Sequence, residues 1–359
     1  MVVFGTLTAG TTPTLRARQT SRSLVAVWMF LAVVPDVAGG DLTLAEPAGS
    51  WLEGPPLSLS RQEIGVAQLD GNVWVAGGLV SGSFPMSTAS VEILPSGTDT
   101  WVAGPDLPMA LDHLSLAAFE GRIWVMGGET FSAPQAGVWS IARGESEWRP
   151  EAPLPRALSA GAAAVVGERL VFVGGFDTDH RASSELWRLD GNGASWERMA
   201  DMPTPREHLA AAVLGGRLYV VGGRSETDFT IGALEEWNPE TDEWTALEPL
   251  APPRSGLAAV ALDGRIWALG GEIPGVFRDV DVYSPGSGSW TDAPDLPTPR
   301  HGTVAVWVEG RVVVPAGGLV AGFLPTERVE LFLPESIFLD GFETGDLRLW
   351  SEVGLGAPR

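Results

Sequence analysis

"GRIWVMGGE" at residues 121–129 is a short apolar run that ends in two glycines. Such a run, bounded by glycine, is typical of a buried β-strand that leads into a turn. Close copies stand at 216–224 ("GRLYVVGGR") and 264–272 ("GRIWALGGE"), and looser copies at 71–79, 168–176 and 311–319. The chain therefore contains one strand-and-turn phrase six times.

The six copies are evenly spaced. The Gly-Gly pairs begin at residues 77, 127, 174, 222, 270 and 317, so the steps are 50, 47, 48, 48 and 47 residues. A tryptophan precedes each pair by 26 residues in five units and by 27 in the sixth; these are Trp51, Trp101, Trp148, Trp196, Trp244 and Trp290. A period near 50 residues that holds several short strands indicates a sheet repeated around an axis rather than a helical solenoid.

One unit, residues 206–250, shows the content of a repeat. Its four strand-like segments are "REHLAAAVLG", "RLYVVGG", "ALEEWNP" and "EWTALEPL", and they are separated by short turn-forming sequences. A four-stranded sheet this small cannot bury both faces alone, so copies must stack face to face. The tryptophan at one fixed position would fill the space between neighbouring sheets.

The two ends of the repeat region complement each other. After "VELFLP" (329–334) the sixth unit lacks its tryptophan-containing fourth strand, whereas "GSWLEGPPLSLSR" (49–61) is a fourth strand without the first three. The N-terminal strand is therefore predicted to complete the last sheet and to leave no open edge at the seam.

The strand, the Gly-Gly pair, "EEWNPETDEW" and "LPTPR" together resemble the kelch repeat, over residues 50–333. The resemblance implies an all-β fold: a six-bladed kelch-type β-propeller over residues 40–334, with four strands per blade and the last blade closed by the N-terminal strand. Leu111 departs from the pattern, because it stands where the second unit is expected to have arginine.

The termini predict export. Arg16, Arg18 and Arg22 precede the apolar run at 24–34, and the small residues of "PDVAGG" (35–40) follow it, which is the pattern of a secretory signal peptide over residues 1–39. No membrane span is expected after its cleavage. The C-terminal tail at 335–359 contains "FLDGFETGDLRLWS", which resembles a segment near the C-terminus of exported bacterial proteins. We predict a secreted, cell-surface or periplasmic protein.

Composition and motifs exclude several classes of function. The net charge of −22 argues against nucleic acid as a partner. Cysteine is absent, and the chain has no G-x-S-x-G elbow, H-E-x-x-H motif, P-loop or Gly-rich dinucleotide motif. Four histidines offer little basis for a metal site, so neither a metal nor another cofactor is expected.

Arginine and histidine supply the candidate ligand-binding residues. The resemblance implies that arginines at the start of each unit line one face of the propeller, where their planar guanidinium groups suit carboxylates. The histidines follow these positions by one or two residues. The alternative is structural: each arginine pairs with an acidic residue, such as Glu151 or Asp201, or with loop carbonyls. The candidate residues are Arg61, Arg156, Arg206, Arg254, Arg300, His113, His208 and His301.

Two functions remain open. The first is a secreted, non-catalytic kelch propeller, expected to be a monomer, that acts as a protein- or glycan-binding scaffold through loops on one face and takes a protein or an anionic glycan as partner. The second is a carbohydrate-active enzyme on the same fold, of the sialic acid mutarotase type that six-bladed bacterial kelch proteins include. Such an enzyme needs an acid–base group and an arginine for the sugar carboxylate.

Overall fold

The fold is a ring of six four-stranded antiparallel sheets, the blades of a β-propeller. The computed structural model describes residues 47–82 and 86–335, which lie in one compact unit, residues 45–359. The predicted signal peptide and nearly all of the predicted tail lie outside the described residues. No helix among the described residues is long and apolar enough to cross a membrane.

Each blade is an antiparallel sheet whose strands follow the chain from the channel outward, except that the outermost strand of blade 6 comes from the N-terminal end of the repeat region. Blade 1 contains strands Gly65–Leu69, Asn72–Ala76, Val91–Leu94 and Val102–Ala103. Blade 2 contains Ser115–Phe119, Arg122–Met126, Val138–Ala142 and Arg149–Pro150. Blade 3 contains Ala162–Val166, Arg169–Val173, Leu186–Leu189 and Trp196–Arg198.

The remaining blades follow the same plan. Blade 4 contains Ala210–Leu214, Arg217–Val221, Leu234–Asn238 and Glu243–Leu247. Blade 5 contains Ala258–Leu262, Arg265–Leu269, Val280–Ser284 and Ser289–Ala293. Blade 6 contains Val306–Val308, Arg311–Pro315, Val329–Pro334 and the N-terminal strand Gly49–Glu53. Two-residue strands pair Arg61–Gln62 with Leu79–Val80 and Glu129–Thr130 with Ala133–Pro134.

The predicted closure by the N-terminal strand is confirmed. Gly49–Glu53 pairs antiparallel with Val329–Pro334, in a register that places Trp51 opposite Phe332. Their rings lie 5.1 Å apart. Because the first and last described strands share one sheet, the ring is joined by backbone hydrogen bonds and side-chain packing, and Val329–Pro334 is not left as an unpaired edge.

The repeated tryptophans bind each blade to the one before it. Every indole N–H donates to the backbone carbonyl four residues beyond the tryptophan of the preceding blade, at 2.8–3.0 Å. The pairs are Trp51–Pro294, Trp101–Pro55, Trp148–Pro105, Trp196–Ala152, Trp244–Ala200 and Trp290–Glu248. A buried indole needs a partner for its only donor. The tryptophan thus combines apolar filling with a polar tie between blades.

The Gly-Gly pairs form a second set of ties between blades. The N–H of the second residue of each pair donates to a backbone carbonyl at the start of the next blade, at 2.8–3.1 Å. In blade 6 this donor is Gly317, which reaches Arg61 O, so Ala316 and Gly317 occupy the places of the pair. The sequence-based assignment of Gly317 and Gly318 to that pair was therefore wrong by one residue. With Ala316 as the first member, the distance from Trp290 becomes 26 residues, as in the other units.

The hydrophobic core lies between the blades. One cluster joins Tyr219 and Leu234 of blade 4 to Ile266 and Tyr283 of blade 5, and all four side chains are buried. The innermost strands carry small residues, as in "AAAVL" (210–214), because six strands must meet around one axis. These strands surround a central channel, and the loops before them bring polar side chains to its neck.

Candidate functional site

Six chain segments form the neck of the channel. At each blade, the residue two positions after the start of the unit turns toward the axis with a left-handed backbone, φ between 50° and 62°. Its N–H donates to the carbonyl of the corresponding residue in the preceding blade, at 2.7–2.9 Å, and the six hydrogen bonds form a closed circle. The residues are Glu63, His113, Ala160, His208, Gly256 and Gly302.

Three of these neck residues carry functional groups. Glu63, His113 and His208 adopt φ of 54°, 50° and 50°, which is uncommon for residues other than glycine, and Ala160 at the same position of its blade shares this conformation, with φ of 53°. Gly302 completes the circle beside Glu63, and a Cβ atom there would lie 2.4 Å from a carboxylate oxygen of Glu63. The glycine therefore leaves room for the Glu63 side chain at the neck.

The inner nitrogens of three histidines converge on Glu63. His113 Nε2 lies 3.5 Å and His208 Nε2 3.9 Å from Glu63 Oε2, and His301 Nδ1 lies 3.4 Å from Glu63 Oε1. The rings of His113 and His208 meet edge to face, with centroids 4.8 Å apart. The three predicted histidines thus come together with a carboxylate that the sequence analysis did not single out.

The outer nitrogen of each histidine is also occupied. His113 Nδ1 contacts Asp112 Oδ1 at 2.5 Å, and His208 Nδ1 contacts the carboxylate of Glu207. His301 Nε2 lies 2.9 Å from the carbonyl oxygen of Val320. A carbonyl can only accept, so His301 Nε2 carries the proton and donates. These contacts fix the orientation of all three rings.

Arg224 is the main cation of the cluster. Its Nε donates to Glu207 at 2.8 Å, its Nη1 donates to Glu272 at 2.9 Å, and its Nη2 lies 3.0 Å from His208 Nε2. Because a guanidinium can only donate, His208 Nε2 accepts and Nδ1 carries the proton toward Glu207. His301 Nδ1 lies 3.5 Å from Glu272, so this carboxylate links the arginine to the third histidine.

The titration of the cluster follows from these contacts. Burial favours the neutral form of His113, but the carboxylates of Glu63 and Asp112 outweigh it and raise the pKa of His113 to about 9. Burial likewise opposes the charged form of Glu63, but the three histidines lower its pKa overall. Burial and the charge of Arg224 lower the pKa of His208 well below its ordinary value. The neck therefore holds charged His113 and neutral His208 on the two sides of one carboxylate.

The cluster lies at the floor of an opening that we call the mouth. Its walls come from the loops between the second and third strands, and its lining includes Glu129, Phe176, His180, Arg224 and Phe229, in addition to His113 and His208. A second cavity continues from the same neck into the channel between the innermost strands. His113 and His208 line both cavities, so they are reachable from the mouth. His180, the fourth histidine, stacks on Phe176 outside the cluster on Glu63.

Four of the five candidate arginines lie inside the blades instead of at the mouth. Each of the four has no exposed surface, and its guanidinium pairs with a carboxylate on the third strand of its own blade. The pairs are Arg61–Glu92, Arg206–Glu235, Arg254–Asp281 and Arg300–Glu330. The geometry thus matches the structural alternative, although the acidic partners are not Glu151 or Asp201. The ligand-binding role of these four arginines stays a prediction. Their guanidinium groups are buried and have no exposed surface that a ligand could contact.

Arg156 does not share the repeat position of the other four. The backbone tie from the preceding blade identifies this position. The N–H of Gly128 donates to the carbonyl oxygen of Leu158, just as the N–H of Gly175 donates to the carbonyl oxygen of Arg206. The sequence-based placement of Arg156 in this phase was therefore wrong: Leu158, like Arg206, stands ten residues after the repeat tryptophan of its unit, whereas Arg156 stands eight residues after Trp148. The Arg156 side chain is 45% exposed and pairs with Asp177 and Glu185.

Sequence reasoning missed the carboxylates of the site. Glu63 occupies the same repeat position as His113 and His208, two residues after the start of its unit, and this alignment was the available signal. Asp112 and Glu207 immediately precede the two histidines. Arg224 and Glu272 follow Gly-Gly pairs. Their phase in the repeat is the signal that could have pointed to them.

The mouth is bordered by exposed apolar side chains. Among the described residues, eight large hydrophobic side chains are exposed, and six of these lie on the loops between second and third strands. The six are Met86, Phe131, Phe229, Val320, Phe323 and Leu324. The other two, Leu52 and Val102, lie on outermost strands. Exposed apolar residues are thus concentrated on one face of the propeller.

Comparisons with known proteins agree with this architecture. The sequence model of the family described as "KLHDC2/KLHL20/DRC7 Kelch-repeats domain" matches residues 114–318, more than half of the chain. A solved structure titled "Structure of YjhT" superposes with a TM-score of 0.67 at 14% sequence identity, and the match covers 77% of this chain and 95% of the other. At this identity the likeness concerns the fold alone. A search of curated proteins found no match.

Proposed function

Because this chain belongs to the kelch-repeat family, we propose that it is a binding scaffold whose partner is a protein that docks on the face around the mouth. The observation that carries the proposal is the placement of six exposed apolar side chains on the loops of this one face. Apolar and aromatic side chains grouped on one surface are typical of protein interaction sites.

The charge of the mouth selects the kind of partner. Glu129, Glu207 and Glu226 line the mouth. Glu63, Asp112 and Glu272 lie buried behind the histidines and Arg224 of its lining. The guanidinium of Arg224 is already shared among three neighbours. Carboxylates outnumber the charged His113 and Arg224, so an anionic glycan would meet an excess of negative charge there. A protein segment that combines apolar side chains with lysine or arginine would complement both features: its apolar side chains would pack on the exposed loops, and its cations would pair with the carboxylates of the mouth.

The test uses peptides selected from a random displayed library on the full propeller. Replacing Phe131 and Phe229 with serine should weaken the selected peptides about tenfold or more, because truncated aromatic anchors typically cost 1–2 kcal/mol or more each. The matched control replaces Leu52 and Val102, which are similarly exposed on outermost strands, with serine. The proposal is supported if the selected peptides are rich in lysine or arginine and bind the control variant as tightly as the unsubstituted protein. Equal losses in both variants, or acidic peptides, contradict it.

An enzyme of the sialic acid mutarotase type is the second candidate. Its support is an acid–base pair at the neck, since charged His113 lies 3.5 Å from the carboxylate of Glu63 within reach of the mouth. Such an enzyme would also need a free arginine to hold the sugar carboxylate. The arginine among the described residues that line the mouth is Arg224, and it is already engaged by Glu207, Glu272 and His208. An anomerisation assay with sialic acids that shows rate acceleration, abolished by Glu63→Gln, would favour the enzyme over the scaffold.

We also propose that the protein is exported. The support is the basic, apolar and small-residue sequence at 16–40. N-terminal sequencing of protein expressed in a secreting host should find a start near Gly40. Recovery of the protein with an intact Met1 would contradict the proposal.

A further inference from the structure

The neck of the channel has the chemistry of a transition-metal site. Glu63, His113 and His208 each offer one ligand atom, and these three atoms lie within 4.8 Å of one another. In a tetrahedral zinc site with bonds of about 2.0–2.1 Å, neighbouring ligand atoms are about 3.3 Å apart. The separations of 3.5 Å and 3.9 Å from Glu63 Oε2 to the two histidine nitrogens are close to this value. Small side-chain rotations would bring the three atoms to bonding distance.

The outer contacts of the two histidines are those of metal ligands. A histidine that binds a metal through one nitrogen usually donates its other N–H to a carboxylate or a carbonyl. His113 and His208 each direct Nδ1 toward a carboxylate, from Asp112 and Glu207 respectively, and direct Nε2 toward Glu63. Each ring is therefore oriented as it would be around a metal, by a residue that would not itself be a ligand.

A third histidine supports the carboxylate from the opposite side. His301 is 1% exposed, and its Nδ1 has no hydrogen-bond partner, although it faces Glu63 Oε1 at 3.4 Å. Its Nε2–H is held by the carbonyl of Val320. His301 is thus a buried imidazole directed into the cluster, and with a proton on Nδ1 as well it would donate to Glu63 Oε1 and leave Oε2 facing the other two histidines.

From this geometry we propose that Glu63, His113 and His208 bind one divalent transition-metal ion, of the zinc type, at the neck of the propeller. Two imidazoles and one carboxylate are a borderline donor set that suits Zn²⁺ and Co²⁺ better than Mg²⁺ or Ca²⁺. Three protein ligands leave a fourth position for water or a partner's side chain. The mouth supplies the entry path, since His113 and His208 line it.

Arg224 competes with the metal for the same lone pair. Its Nη2 lies 3.0 Å from His208 Nε2, the atom that would bind the ion. Because the guanidinium is planar and rigid, metal binding must shift the whole group, and its contacts with Glu207 and Glu272 must adjust as well. The site therefore predicts opposite responses to substitution: loss of a ligand weakens metal binding, whereas loss of Arg224 strengthens it.

The experiment is a calorimetric titration of the chelator-stripped propeller with ZnCl₂, followed by CoCl₂ with visible spectroscopy. We expect one Zn²⁺ per chain and Co²⁺ absorption of the four-coordinate type. His113→Asn and His208→Asn should each weaken Zn²⁺ binding about 100-fold or more, and Asp112→Asn about tenfold, as expected for an outer-shell partner. Asparagine is the substitution of choice because it tolerates the left-handed backbone at these positions.

Two variants make the result specific. His180→Asn is the matched control, since His180 also has a left-handed backbone, φ 54°, and lies near the mouth outside the cluster. It should leave Zn²⁺ affinity unchanged, and Arg224→Gln should raise it about tenfold by freeing His208 Nε2. Thermal melts confirm that each variant is folded. Absence of stoichiometric binding, equal losses in His180→Asn and His113→Asn, or weaker binding in folded Arg224→Gln would each overturn the proposal.

Discussion

The blades use two different structures at one repeat position. In blades 1, 4, 5 and 6 an arginine at the start of the unit reaches a carboxylate on the third strand, as Arg206 reaches Glu235. In blades 2 and 3 the arginine is replaced by leucine and the carboxylate by tryptophan. These pairs are Leu111 with Trp139 and Leu158 with Trp187. Both members change together, so the position requires a matched pair rather than an arginine.

The difference teaches what the buried arginines do. An ion pair without exposed surface is stable only when both charges find each other and further hydrogen bonds. Arg206 supplies these by donating also to the carbonyls of Thr204 and Val220. Leu158 and Trp187 fill the equivalent space without any charge, and Leu158 has no exposed surface. The two solutions should therefore respond differently to loss of one partner.

The largest expected effect comes from breaking an ion pair. Arg206→Leu leaves Glu235 buried and charged, with Thr204 as its remaining hydrogen-bond donor, and should lower the free energy of unfolding by about 3–5 kcal/mol. Urea denaturation measures the change. Arg217→Leu is the control, because Arg217 is 43% exposed in its pair with Glu236 and should cost about 1 kcal/mol or less. Equal losses in the two variants would mean that Arg206 is not held as described.

Breaking an apolar pair should cost somewhat less. Leu158→Ala removes a fully buried side chain next to Trp187 and leaves a cavity, with an expected loss of about 3 kcal/mol. Unlike the loss from Arg206→Leu, no charge is stranded. Urea denaturation again measures the loss, and a Leu158→Met variant, which conserves volume, should lose about 1 kcal/mol or less. If Leu158→Ala is nearly neutral, this leucine does not occupy the place of the arginine.

The most direct test of the comparison replaces an ion pair of one blade with the leucine–tryptophan pair of another. The double variant Arg206→Leu with Glu235→Trp places the pair of blades 2 and 3 into blade 4. It should recover part of the loss of Arg206→Leu, because no buried charge is left without a partner, although leucine and tryptophan together are larger than arginine and glutamate and their neighbours must repack. A double-mutant cycle that includes Glu235→Trp alone measures the coupling. Additive losses would show that the two pairs are not interchangeable.

The smallest effect is expected at the arginine outside the repeat position. Arg156 is 45% exposed, and both of its partners keep other donors when it is removed: backbone N–H groups for Asp177, and the Trp187 indole with Arg198 for Glu185. Arg156→Ala should therefore cost about 1 kcal/mol or less. Measuring the variant at low and high salt would separate its charge contribution. A loss as large as that of Arg206→Leu would contradict the assignment of Leu158, rather than Arg156, to the repeat position of blade 3.

The amino-acid sequence by itself determined the propeller. The spacing of Gly-Gly pairs and tryptophans predicts six four-stranded units, and the incomplete first and last units predict closure by the strand at Gly49–Glu53, as the structure confirms. These features are local and periodic, so each can be recognised within one stretch of chain. The same periodicity brought the three clustered histidines to attention.

Only the tertiary structure decided where the marked side chains point and what they meet. A repeat phase read along the chain could not distinguish a buried arginine from one at the mouth, and the backbone hydrogen bonds place Leu158, not Arg156, at the repeat position of blade 3. The cluster at the neck joins Glu63 to His113, His208 and His301, which stand 50, 145 and 238 positions further along the chain. The physical reason is that closing the ring places corresponding turns of different blades around one axis. Charges and ligand atoms therefore meet through the symmetry of the fold and not through their neighbours in sequence.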